Sequence, residues 1–231
     1  MQVSQLVIEV GRKCNLSCAH CLRGKSQDVT VDVDTVKKLI NEFEFIGNIT
    51  FTGGEPTLYS KEICEIIDYI VDNEKQIASF YIASNGTIFD ADLMLKLCKF
   101  YGYVDEYFDG TEVSAFDLSE DQFHTEINSS IKSLYKAFSF VTSRGNIADT
   151  GVINEGNASY NGIGYRSVRS DISFYYEEDI DTVEMIYLNA KGYILPDCNY
   201  SYETQDYMEP YKYGEVPLKT IIKKFNAVKA A

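Results

Sequence analysis

The sequence of 231 residues has no apolar run of the roughly 18 residues that a membrane-spanning helix requires. Its first residues also lack the basic start and the small-residue cleavage site of a secretory signal peptide. We therefore expect a cytoplasmic protein without a membrane partner. The low apolar content typical of disordered chains is absent too, because 45% of the residues are hydrophobic. A chain of this length and composition can bury one sizeable core.

Basic residues are scarce, since 21 Lys and Arg stand against 35 Asp and Glu and give a net charge of −14. An acidic chain repels nucleic acid unless its basic residues cluster, so nucleic acid is disfavoured as a partner. One basic cluster does occur, at Arg12, Lys13, Arg23 and Lys25. It is either a solvated loop or a positive rim for an anionic cofactor, an anionic substrate or an acidic electron donor.

The first half of the sequence alternates between strand and helix patterns, which is typical of a parallel sheet with helical crossovers. Strands are predicted at 6–10, 46–52, 77–83, 112–117 and 138–142, and helices at 34–45, 60–73, 90–100 and within 120–137. The less regular second half predicts a strand near 162–168, a hairpin at 183–188 and 193–195, and a helix over 216–225.

These patterns predict an α/β fold, a partial (β/α)6 TIM-like barrel with a C-terminal β-hairpin extension. We expect the core of the partial barrel at residues 1–150. Residues 151–231 would hold the remainder of the barrel and the extension.

Cysteines are few and unevenly spaced. Three of the six, Cys14, Cys18 and Cys21, crowd into eight residues directly after the first predicted strand. A disulfide framework suits a small secreted chain and not this one, so a metal or cluster explains the crowding better. An Fe–S cluster held by three cysteines keeps one iron open, as a catalytic site requires. A zinc site that adds His20 or another donor is the alternative.

The segment Cys14-Asn15-Leu16-Ser17-Cys18-Ala19-His20-Cys21 resembles the signature of radical S-adenosylmethionine (SAM) enzymes. The segment Gly53-Gly54-Glu55-Pro56, after the second predicted strand, resembles the GGEP motif of the same family. The resemblance implies that the three cysteines hold a [4Fe–4S] cluster and that His20 lies near the adenine of SAM. It also implies that Gly53, Gly54 and Glu55 lie at the amino group of SAM.

Softer matches extend this site. The segment that begins with Ser84 and Asn85 resembles the family's third strand end, and Ser114 lies at the next strand. The resemblance implies that polar side chains here bind the ribose and carboxylate of SAM, although a plain strand-ending turn is the alternative. Arg144 could clamp the SAM carboxylate or a substrate anion, or form a surface salt bridge. His124 is a candidate catalytic residue that could bind substrate or move a proton, or serve in ordinary hydrogen bonding.

The resemblance implies reductive cleavage of SAM to a 5′-deoxyadenosyl radical, with electrons from a protein such as flavodoxin or ferredoxin. Segments 191–198 and 213–218 resemble the ends of radical SAM peptide-modifying enzymes, so we expect a peptide or protein substrate. Cys198 is the one cysteine there, which argues against an auxiliary cluster. The alternatives are a small-molecule substrate such as a nucleotide, an activase of a glycyl-radical enzyme, or a non-enzymatic zinc-binding interaction module.

Overall fold

The computed structural model describes residues 1–107, 114–148, 151–165, 182–208 and 211–229. Its strands are β1 (Gln2–Gly11), β2 (Phe45–Gly53), β3 (Gln76–Ser84), β4 (Ala115–Ser119), β5 (Val141–Arg144), β6 (Thr182–Leu188), β7 (Tyr193–Leu195) and β8 (Tyr211–Lys212). Its helices are α1 (Val33–Ile40), α2 (Ser60–Asp72), α3 (Ala91–Tyr107), α4 (Ser129–Tyr135), α5 (Gly156–Tyr160), α6 (Tyr202–Tyr207) and α7 (Leu218–Lys229), with a 3-10 turn at Pro56–Tyr59.

The described strands form one sheet in the order β5-β4-β3-β2-β1-β6-β7-β8. Strands β1 to β6 run parallel, whereas β7 and β8 are antiparallel to their neighbours. The predicted α/β class and the C-terminal hairpin are therefore confirmed. The first hairpin strand, β6, has a second role that the sequence did not indicate, because it pairs in parallel with β1. That pairing makes β1 an interior strand.

Burial explains why these segments form these elements. The last six residues of β1 are all buried, as expected for a parallel strand covered on both faces. Helix α2 buries Ile63, Ile66, Ile67 and Ile70, which recur at helical spacing and form its core-facing side. The core cluster runs through the sheet and the inner faces of these helices. Packing of this kind confirms the alternation read from the first half of the sequence.

Some boundaries differ from the predicted ones. The fifth strand was expected at 138–142 but occupies Val141–Arg144, because Phe138 and Phe140 pack with one another in the turn before it. The expected strand near 162–168 is not a regular strand over 162–165, where Tyr165 forms an isolated bridge to Ile153. Residues 166–168, like residues 112 and 113 of the expected fourth strand, lie outside the described residues.

None of the helices in the described ranges has the length and continuous apolar character required for a membrane span. The division at residue 150 into a core and an extension stays a prediction.

Candidate active site

A pocket of about 500 Å³ lies where the carboxyl ends of the parallel strands meet. Ligand sites in α/β sheets occur at this edge, since the loops after successive strands converge there. All but one of the predicted site residues line it. They are Cys14, Cys18, His20, Cys21, Gly53, Gly54, Glu55, Ser84, Asn85, His124 and Arg144.

Ser114 is the exception. It lies immediately before β4, at the amino end of that strand, whereas the pocket lies at the carboxyl ends. Its hydroxyl accepts a hydrogen bond from the Phe80 backbone N–H at 3.2 Å. The structure therefore gives Ser114 a role in joining β4 to β3 and does not bring it to the pocket.

The three cysteines of the predicted cluster are half-buried and are not in disulfides. Burial, reinforced by the neighbouring Cys21 and Cys14, raises the pKa of the Cys18 thiol to about 11. The three thiols therefore interact electrostatically, and a positively charged ligand bound to them would favour their thiolate forms. The donor set thus fits an Fe–S cluster.

His20 belongs to a group of possible metal ligands that does not include the three thiols. In the described parts of the chain it groups with Asp121 and His124, with candidate ligand atoms within 4.8 Å of one another, and not with the thiols. The ring of His20 stacks on the Phe123 ring, with 4.6 Å between the ring centres. It also packs edge-to-face with the His124 ring, with 4.9 Å between the centres. Burial and the nearby His124 lower the pKa of His20. His20 is therefore held as an aromatic wall beside the cysteine loop.

His124 is oriented by a buried carboxylate. Its Nδ1 lies 2.8 Å from Oδ1 of Asp121, whose side chain is fully buried. Burial would raise the pKa of Asp121, but hydrogen bonds from His124 and from the Phe123 backbone N–H outweigh this effect and lower it. The pairing fixes the ring so that His124 lines the pocket. Asp121 and Phe123 were not predicted as site residues.

The glycines after β2 allow the second loop to touch the backbone of the cysteine loop. A Cβ on Gly54 would lie 2.1 Å from the carbonyl oxygen of Lys13, and Gly53 adopts a φ of 139° against Gly11. The Gly54 N–H donates to Gly11 O, and the Glu55 N–H donates to Lys13 O, both at 2.9 Å. A side chain at either glycine would force the two loops apart.

Glu55 is a buried carboxylate, 1% exposed, that accepts hydrogen bonds only from uncharged groups among the described residues. The donors are the Thr57 backbone N–H at 3.1 Å and, each at 2.8 Å, the Thr57 hydroxyl, the Ser84 hydroxyl and the Asn85 backbone N–H. The described residues give it no Lys or Arg partner. Buried charges normally have a counter-charge, so this carboxylate is arranged for a cation that comes from outside the chain.

A second network joins the loop after β3 to the cysteine loop. The Asn85 side-chain amide donates to Asn15 Oδ1 at 2.9 Å, and the Asn15 amide donates to the Thr87 hydroxyl at 2.8 Å. Helix α5 supports the other side of the cysteine loop, where the Asn157 and Asn161 side chains donate to backbone carbonyls at 3.0 Å. This support could not be predicted from the sequence, because the contacts join residues about 140 positions apart.

The basic cluster around the cysteines divides into two kinds of residue. Arg12 and Arg23 are buried, whereas Lys13 and Lys25 are exposed. Arg12 pairs with Glu9 and Asp206 and has a structural role. Arg144 donates to the Ser119 hydroxyl at 3.0 Å, and the described residues contain no acidic partner for it. The expected surface salt bridge of Arg144 is thus not found in this part of the chain.

Three relatives each match about half of the chain. An uncharacterized protein, MJ0907, of Methanocaldococcus jannaschii is 30% identical over 48% of this chain and 41% of its own length. The putative peptide biosynthesis protein YydG of Bacillus subtilis is 32% identical over 55% of this chain and 39% of its own length. The antilisterial bacteriocin subtilosin biosynthesis protein AlbA of the same organism is 33% identical over 40% and 20%. The matches thus span about two fifths or less of each relative.

Solved structures share the fold at low identity. Streptococcus suis SuiB bound to precursor peptide SuiA superposes with a TM-score of 0.56 at 12% identity, over 98% of this chain and 66% of that one. The protein anSMEcpe with bound AdoMet and Cp18Cys peptide gives 0.54 at 15% identity, over 96% and 80%.

The family model of the Radical SAM superfamily matches residues 8–135, which include the cysteine loop and the Gly53–Glu55 segment. This match covers more than half of the chain and implies a [4Fe–4S] cluster and SAM as cofactors. The chain therefore belongs to the radical SAM superfamily.

Proposed function

We propose that this enzyme modifies a peptide, with Cys14, Cys18 and Cys21 holding the [4Fe–4S] cluster. When bound, the reduced cluster and SAM supply a 5′-deoxyadenosyl radical that removes a hydrogen atom from an unreactive C–H bond. The chain's own residues bind and orient SAM and the substrate, and they exclude water from the reacting atoms.

The observation that carries the assignment of the SAM site is the uncompensated carboxylate of Glu55. The amino group of SAM is a cation, and a buried carboxylate without an internal cationic partner binds such a group strongly. Ser84 and Asn85 hold the carboxylate in place, since both donate to it. The close contact of Gly54 with the Lys13 carbonyl brings this carboxylate to the cysteine loop.

His20 offers an aromatic wall for the adenine of SAM, and His124 offers a nitrogen that can hold or move a proton. The Nε2 of His124 has no hydrogen-bond partner among the described residues, whereas Nδ1 is bound to Asp121. We assign to His124 the role of a proton acceptor or donor for the substrate. Arg144 is suited to the carboxylate of SAM or of the substrate.

Relatives and structural neighbours favour a peptide substrate. SuiB is bound to a precursor peptide, anSMEcpe is bound to a peptide, and YydG and AlbA are named as peptide or bacteriocin biosynthesis proteins. Met185 in strand β6 of the hairpin, and Cys198 in the segment after β7, line the pocket on the side opposite β4. The exposed Lys13 and Lys25 favour an acidic reductant such as flavodoxin or ferredoxin.

Deuterium transfer tests the substrate class. Anaerobically reconstituted enzyme is given SAM, reductant and uniformly deuterated peptides made from the short reading frames that flank its gene. We expect deuterium in the 5′-deoxyadenosine and a mass change in one peptide. A Cys21→Ala variant, as the control, would show neither.

Other outcomes of the same experiment would overturn the peptide assignment. Deuterium that comes only from a deuterated nucleotide pool would indicate a small-molecule enzyme. A glycyl radical detected by electron paramagnetic resonance on a partner protein would indicate an activase.

A further inference from the structure

The pocket has a second end, away from Glu55, where the residue two positions after Cys21 meets the segment that follows the hairpin. Arg23, Cys198, Asn199 and Tyr202 line it. The Tyr202 backbone N–H donates to the Arg23 carbonyl at 3.0 Å, so the two residues are held together. No role in the assignments above uses either side chain.

Arg23 is a buried cation, 8% exposed, without an anionic partner in the described ranges. Its Nη1 donates to the Tyr200 carbonyl at 2.8 Å, and its guanidinium lies 5.3 Å from the centre of the Tyr187 ring. Arg12, which is also buried, satisfies the usual rule, since it pairs with two carboxylates. Arg23 departs from that rule and lies at the pocket.

Tyr202 adds an unused polar group at the same place. The residue is 2% exposed, and its hydroxyl is buried without any hydrogen-bond partner. Burial of a hydroxyl without a partner is costly, and native structures rarely contain such groups without a reason. A ligand oxygen at this end of the pocket would satisfy the hydroxyl.

Two carboxylates that interact electrostatically with Arg23, Glu9 and Asp197, accept hydrogen bonds from other groups. Glu9 accepts hydrogen bonds from Arg12, Tyr187, Ala190 and Gln205. Asp197 accepts the Asn199 backbone N–H at 2.7 Å, and burial raises its pKa although the charge of Arg23 acts to lower it. This end of the pocket therefore has two donors, and no carboxylate among the described side chains forms an ion pair with Arg23.

We propose that Arg23 and Tyr202 form a subsite for a carboxylate of the substrate, from an acidic side chain or a chain terminus. The inference rests on the proposed function, since it names a group that the peptide must carry. A planar carboxylate can accept from the guanidinium and from the phenol at the same time. Because Arg23 follows Cys21 so closely, the bound carboxylate would anchor the peptide beside the cluster.

Calorimetric titration of the reconstituted, SAM-loaded enzyme tests this subsite without turnover. The probes are acetyl-glutamate amide and its neutral isostere acetyl-glutamine amide, with acetyl-alanine and acetyl-alanine amide for a terminal carboxylate. We expect the matching acid to bind about tenfold or more tightly than its neutral counterpart. The pair that shows the difference identifies the source of the carboxylate.

Two tyrosines of helix α6 provide matched variants. Tyr202→Phe removes only a hydroxyl that has no partner, so we expect an unchanged melting temperature and a loss of about tenfold in affinity for the preferred acid. Tyr207→Phe is the control, because Tyr207 is 90% exposed, and its affinity should equal that of the wild type. Arg23→Lys should also weaken the acid, since it removes the guanidinium fork.

Equal binding of acid and neutral probe, no binding of either, or full selectivity in Tyr202→Phe would overturn the subsite. Weaker SAM binding in Tyr202→Phe, together with equal binding of the probes, would assign the hydroxyl to SAM and would also overturn it. Formation of 5′-deoxyadenosine by the wild type tests the proposed function separately, so the two failures are distinguishable.

Discussion

Two glutamates at the ends of neighbouring strands are buried to the same degree and differ in their partners. Glu9, in β1, is 0% exposed, and Glu55, after β2, is 1% exposed. Each accepts four hydrogen bonds. One of the four donors to Glu9 is the buried Arg12, at 2.7 Å, whereas Glu55 has no cationic partner in the described chain. The same side chain thus serves two purposes that its burial alone does not distinguish.

Glu9 is the closed glutamate, because its charge and its hydrogen bonds are satisfied within the protein. Its partners Tyr187, Ala190 and Gln205 come from β6, the hairpin turn and α6, so the pair fastens the C-terminal segment to β1. Glu55 is the open glutamate, because it has no cationic partner among the described residues and lines the pocket. A buried charge with its own counter-ion indicates structure, and one without it indicates a ligand.

The largest expected effect concerns the site that contains the open glutamate, Glu55. It comes from replacement of the predicted cluster ligands. Cys14→Ala, Cys18→Ala and Cys21→Ala should each abolish the cluster, so that reconstitution no longer yields about four iron and four sulfide per chain. Iron and sulfide assays check this. Cys98→Ala, on the exposed face of α3, is the control and should bind the cluster normally. Full iron content in the three variants would remove the basis of the comparison.

A change at the closed glutamate, Glu9, should lower the free energy of unfolding. Glu9→Gln leaves the Arg12 guanidinium buried beside a neutral amide, and removal of one partner of a buried ion pair costs about 3–5 kcal/mol. Urea unfolding of the apoprotein measures it. Arg12 keeps Asp206 as a second partner, so the lower end of that range is expected. A loss below about 1 kcal/mol, the usual value for an exposed pair, would mean that the pair is not closed as described.

Glu55→Gln sharpens the contrast, because its main effect should be on SAM. The neutral amide cannot pair with the amino group, and loss of a charge-assisted hydrogen bond weakens binding by about 10- to 100-fold. Equilibrium binding of SAM to the reconstituted protein measures this change. The matched Glu9→Gln variant, assayed where it is folded, should lose less affinity. An equal loss in both variants would contradict the division into an open and a closed glutamate.

The smallest expected effect concerns acid. Burial would raise the pKa of Asp206, but hydrogen bonds from Lys191 and Arg12 outweigh this and lower it from 3.8. A carboxylate with a lowered pKa contributes stability above its unfolded pKa and loses it as the pH falls through the folded value. The stability difference between wild type and Asp206→Asn should therefore be constant well above pH 3.8 and shrink below it.

Urea unfolding across that pH range makes the measurement. A difference that grows as the pH falls would have the wrong sign.

The site around Glu55 could be predicted from the sequence far better than the network around Glu9. The cysteines and Gly53–Glu55 form two short local motifs, and the strand–helix alternation brings their loops to one edge. The Glu9–Arg12 network could not be predicted, because Arg12 reaches Gln205 and Asp206 across more than 190 residues. The position of Ser114 depends on where β4 begins, because a start at Ala115 leaves Ser114 at the amino end of the strand, away from the pocket.

Cleavage of SAM by the anaerobically reconstituted wild type tests the central claim most directly. With a reductant and SAM, the wild-type protein should produce 5′-deoxyadenosine and methionine, which chromatography detects. The Cys21→Ala variant should produce neither. Binding of stoichiometric zinc without iron, or a full cluster that yields no 5′-deoxyadenosine, would contradict the account.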